Sequence, residues 1–144
     1  MRIAARLRAV TLAVWSVVAL ASPSSADIKA YNEAVTKGDF AAAATEAAAT
    51  WPTLDKARPD IVTIAQEFAW TAMRAKKPEL ASTILGAMKE AKVADSKPEL
   101  TAVLLAWASF ASKPDDRNSN ALRDALDERA NAGSAENISI RAGQ

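Results

Sequence analysis

Residues 60–81 read DIVTIAQEFAWTAMRAKKPELA, and their spacing decides the fold. Ile61, Ile64, Ala65, Phe68 and Ala72 recur at intervals of three and four, the period of a helix with one apolar stripe, which predicts a helix over about Asp60–Ala75. Lys76, Lys77 and Pro78 then break it. The lysines suit the negative end of the helix dipole, and a proline, which has no N–H to leave unpaired, fits the first turn of a following helix. That helix is predicted to reach about Lys92, with Leu80, Ile84, Ala87 and Ala91 on its apolar side. Helix, tight break and helix make a hairpin.

The same reading extends in both directions. Upstream, Gly38 separates a helix over about Asp27–Lys37, striped by Ile28, Tyr31, Ala34 and Val35, from one that Asp39 caps and Pro52 stops, striped by Phe40, Ala44, Ala47 and Trp51. Downstream, Pro98 opens a fifth helix to about Ser112. It is apolar nearly all round through Leu100, Val103, Leu104, Leu105, Trp107 and Phe110, and burial inside the domain is expected for it. Pro114, Asp115 and Asp116 lead to a sixth helix over about Asn118–Asn131, with a narrow stripe of Leu122, Ala125 and Leu126 suited to a terminal cap. Gly133 is expected to end it. Residues 132–144, where Ile138 and Ile140 alternate with polar residues, are read as a flexible tail. The class is all-α.

The breaks at Gly38, Pro78 and Pro114 lie 40 and 36 residues apart, within the range of two-helix repeats. Three stacked antiparallel hairpins over residues 27–131 follow, with an irregular helical bundle as the alternative. Gly38-Asp39-Phe40-x-x-Ala43 resembles the turn and second-helix start of a tetratricopeptide repeat, and Lys77-Pro78-Glu79-Leu80-Ala81 and Lys113-Pro114-Asp115-Asp116 look like its equivalents. Ala47 and Ala87 stand where that family often has a large aromatic residue, and its strict period is 34 residues. The resemblance implies a short α-solenoid whose first, third and fifth helices line a groove for a protein or peptide segment.

The amino terminus adds an address. Arg2, Arg6 and Arg8 precede an apolar run from Ala9 to Ala21, and Ser24-x-Ala26 offers small residues at a peptidase site, so residues 1–26 read as a signal peptide. The run of 13 is short of the roughly 20 residues that span a bilayer. Cleavage after Ala26 is expected, with Ala21 as the alternative, and the product would be periplasmic or secreted. Removing residues 1–26 takes away three arginines and no acid, leaving 118 residues with 15 basic and 17 acidic side chains. A net charge of −2 lacks the basic footprint that nucleic acid requires.

No cysteine means no disulfide framework, and no histidine removes the usual general base and zinc ligand. Acidic groups at Asp115–Asp116 and at Asp124, Asp127 and Glu128 read as helix-start and solvated-face residues. No catalytic, metal or cofactor site is expected. The candidate partner-binding residues are Thr63, Gln66, Trp70 and Arg74, which share the face of the third helix opposite Ile61. Trp70 is either open on that face or packed against the next hairpin. A second reading places an apolar ligand between the helices, lined by Trp51, Phe68, Trp107 and Phe110.

Overall fold

A computed structural model of the protein describes residues 25–142 and is all-α among them, with no strand. The expected signal peptide lies outside the described residues apart from Ser25 and Ala26. The helices are α1 (Ser25–Thr36), α2 (Phe40–Thr50), α3 (Ile61–Arg74), α4 (Pro78–Glu90), α5 (Pro98–Ser112) and α6 (Asp116–Ala142), with a short 3-10 turn at Trp51–Thr53. They form three hairpins, α1–α2, α3–α4 and α5–α6, each closed by three residues: 37–39, 75–77 and 113–115. Successive hairpins pack through α2 on α3 and α4 on α5, and α3 also touches α5.

Local chemistry explains the ends. The Asp39 carboxylate accepts the Ala42 N–H at 3.0 Å and so caps α2, whose alanines are the strongest helix formers. Pro78 and Pro98 occupy first helical positions in α4 and α5. At the other ends, α1, α3 and α4 close with one geometry. Gly38, Lys76 and Lys92 turn left-handed (φ 72°, 58° and 53°) and donate to the carbonyl three residues back, while the next residue donates five back, as in Lys77 to Ala72 at 2.8 Å. Between the first two hairpins, the Lys56 ammonium donates to the Trp51 and Leu54 carbonyls at 2.6 and 2.8 Å and lies 4.2 Å from the Trp51 ring. Its burial pushes its pKa down.

The core is built on small residues. Ala43, Ala47, Ala65, Ala69, Ala72 and Ala81 are all fully buried, which lets helix axes approach closely around Phe68, Ile61, Ile84, Leu85 and Leu104.

Three expectations need correction. The buried side of α4 is Ala81, Ile84, Leu85 and Met88, rotated from the predicted stripe, because α4 is covered by both α3 and α5; Ala91 is exposed. Helix α5 buries only Thr101, Leu104 and Ala108; Leu100, Val103, Leu105, Trp107 and Phe110 are half-buried and Ser109, Ala111 and Ser112 are exposed, so it is not enclosed on all sides as its composition predicts, α6 being its chief neighbour besides α3 and α4. Helix α6 runs through Gly133 to Ala142, across most of the stretch expected as a flexible tail. A glycine ends a helix by turning left-handed. Gly133 does not, and its cost of about 1 kcal/mol is small among flanking alanines.

These caps give opposite outcomes for two substitutions. A Cβ at Gly38 would meet nothing within 4 Å, so Gly38→Ala carries the backbone cost alone, about 1 kcal/mol, or several degrees of midpoint in a domain of this size. Lys76→Gly relieves the same cost and is expected to raise the midpoint. Thermal unfolding followed by circular dichroism checks both signs.

Candidate functional site

The first helix of each hairpin contributes to one groove of about 480 Å³, between α1, α3 and the start of α5. Helix α1 packs chiefly on α2, while α3 packs on α2, α4 and α5, which leaves a gap between α1 and α3. One residue bridges that gap. The Tyr31 ring, 4% exposed, tilts against Phe68 with centroids 4.6 Å apart. Its hydroxyl shares a 2.7 Å hydrogen bond with Thr71 Oγ1 and donates to the Glu67 carbonyl at 3.3 Å. Burial pushes the phenol pKa above its ordinary value; the Thr71 bond pulls it partly back and the Glu67 charge adds to the rise.

The opposite wall is tied by a polar clasp. Gln66 Nε2 donates to Thr101 Oγ1 at 3.1 Å and to the Lys97 carbonyl at 3.3 Å. The Thr101 hydroxyl in turn donates to Asp95 Oδ2 at 2.6 Å, and Asp95 Oδ1 accepts the Lys97 N–H at 2.8 Å. The donors of the clasp are matched, and its one charged member, the part-buried Asp95 carboxylate, accepts two of them, so the loop before α5 is held against α3.

Thr63, Gln66, Trp70 and Arg74 all line this groove. Their environments differ. Gln66 is 6% exposed with its amide nitrogen spent on the clasp, so it belongs to the floor. Thr63 is exposed. Trp70 combines the two placements left open for it: 48% of its surface is open, and its ring meets Trp107 of α5 edge-on, centroids 5.4 Å apart at 61°. The Arg74 guanidinium stands 4.3 Å over the Phe40 ring at the start of α2. Tyr31, Phe40, Glu67, Lys97 and Leu100 are also among the lining residues and were not signalled as site residues by the sequence, where Tyr31, Phe40 and Leu100 read as apolar stripe.

The remaining polar clusters are structural. Asp115 accepts the Asn118 N–H at 2.8 Å at the start of α6, and that bond holds its carboxyl below the usual range. Among the described residues no three acidic, histidine or cysteine side chains gather as a metal site would require. No described helix is long and apolar enough to cross a membrane. Of the aromatic residues considered for an interior ligand, Trp51 and Phe68 are enclosed by core packing, whereas Trp107 and Phe110 are half-buried on α5. Comparison with family models, curated protein sequences and solved structures gives no match for this chain.

The Tyr31 bridge has a pH signature. Because its folded pKa is raised, the stability it contributes is complete below the unfolded value near 10 and is lost as pH climbs through the folded value. Tyr31→Phe is expected to cost about 1 kcal/mol at neutral pH and to flatten the alkaline decline of the parent above pH 10. Urea unfolding from pH 7 to 11 on both proteins measures this.

Proposed function

We propose that this protein is an exported, tetratricopeptide-like interaction module, without catalytic activity, that binds a protein or peptide segment from the cell envelope in the groove between α1, α3 and α5. The observation that carries the reading is Trp70. A half-exposed tryptophan, steadied edge-on by Trp107 and flanked by Thr63 and Arg74, has the composition of an interface hot spot. The groove volume falls within the usual range of binding sites, and its walls are fixed by the Tyr31 bridge and the Gln66 clasp. A site already rigid loses less entropy on binding.

Three hairpins, each closed by a three-residue turn, support the repeat reading, as does a lining drawn from the first helix of each. The basic start, short apolar run and small residues before Asp27 support export. Cleavage after Ala26 would leave α1 whole but for its first two residues.

Two experiments test the reading. Selection of a random peptide library on a chain from Ser25 to Gln144, which contains all six helices, is expected to yield binders that Trp70→Ala weakens at least about tenfold. Binders that hold Trp70→Ala as tightly as the parent would refute the groove. For export, sequencing of the processed chain recovered from a bacterial periplasm is expected to begin at Asp27; retention of Met1 in the cytoplasm is the contrary result.

A further inference from the structure

The groove has a charge pattern that its lining alone does not explain. Arg74 and Lys97 are both exposed, and among the described residues no carboxylate lies within 4.0 Å of either cationic group; ion pairs join Lys29 to Glu33, Arg58 to Asp60 and Lys113 to Asp115, all away from the groove lining. Neither is loosely placed at its base. Arg74 rests on the Phe40 ring, and the Lys97 backbone is bonded on both sides, by Asp95 and by Gln66. The groove is thus bordered by two cations without an ion pair, against one carboxylate, Glu67, among its lining residues.

Their separation can be read along α3. The Lys97 carbonyl meets α3 at Gln66, and the Arg74 backbone follows eight residues later, so the points from which the two side chains spring lie about 12 Å apart along α3. Trp70 lies midway. In an extended chain, residues i, i+2 and i+4 point to the same side and span about 13 Å. Glu67 also lines the groove between the two cations and disfavours a carboxylate at the middle position.

We infer that the partner segment is an extended acidic one with the pattern acid-x-apolar-x-acid, its apolar side chain on Trp70 and its two carboxylates on Arg74 and Lys97. This rests on the groove reading above and adds the chemistry of the ligand.

The test uses end-capped peptides on the chain from Ser25 to Gln144, titrated by amide chemical-shift mapping. The probe is Gly-Glu-Ala-Phe-Ala-Glu-Gly, compared with its glutamine and lysine counterparts and with Gly-Glu-Glu-Phe-Ala-Ala-Gly, which has the same charge at the wrong spacing. The spaced glutamate peptide is expected to bind about five- to tenfold more tightly than the glutamine peptide, as two exposed ion pairs allow, and more tightly than the misspaced one. High salt should erase the margin. Arg74→Gln and Lys97→Gln should each narrow the ratio between the glutamate and glutamine peptides, whatever either does to binding of the glutamine peptide itself; both residues are exposed, so the fold should survive. Equal binding of the glutamate and glutamine peptides, or preference for lysine, overturns the charge pattern. If those peptides still depend on Trp70 the groove stands, and if no peptide shifts the groove amides the ligand class is wrong while the groove is judged by the library selection.

Discussion

Helix α3 is buried along two flanks, and the packing of its alanines against α2, α4 and α5 sets the position of everything else. Ala65, Ala69 and Ala72 have no exposed surface, so neighbouring helices close directly onto its backbone. Phe68 fills the space that remains on the α1 side. Without disulfides, such close contact is the main source of stability open to a domain of this length. The cost of any gap is correspondingly felt: small interfaces have no flexible side chains with which to refill one.

Against that background, the groove is the place where close contact is withheld. The Trp70–Trp107 ring contact and the Gln66–Thr101 bond tie α3 to α5, whereas Tyr31 reaches from α1 to α3 with its ring on Phe68 and its hydroxyl on Thr71. The clasp from Gln66 to Thr101 to Asp95 closes the far side with neutral donors and one carboxylate. The scaffold residues are therefore buried and saturated, while Thr63, Trp70, Arg74 and Lys97 keep their side chains open. Rigid walls with open side chains suit recognition, because the geometry is set before a ligand arrives.

Much of this was legible in the sequence. Helix starts and stops followed from Asp39, Pro78, Pro98 and Gly38, since capping and breaking act within a few residues. The shared face of Thr63, Gln66, Trp70 and Arg74 followed from the helical period alone. What escaped depends on partners distant in sequence. The rotation of the buried side of α4 arises from two neighbours, the clasp joins residues 31 and 35 positions apart, and Phe40 meets Arg74 across hairpins. Gly133 misled because glycine both permits a helix end and is tolerated within one; only the neighbouring backbone decides.

The edge-on pair of Trp70 and Trp107 also gives the protein an optical signal of its own. Two indoles this close and at a large angle couple their near-ultraviolet transitions, producing a dichroic band whose sign and size follow their mutual orientation. Trp51, buried and distant in sequence beneath Lys56, supplies a steady fluorescence background. Any occupant that shifts the Trp70 ring changes the coupled band, so the state of the groove is readable in unlabelled, unmutated protein.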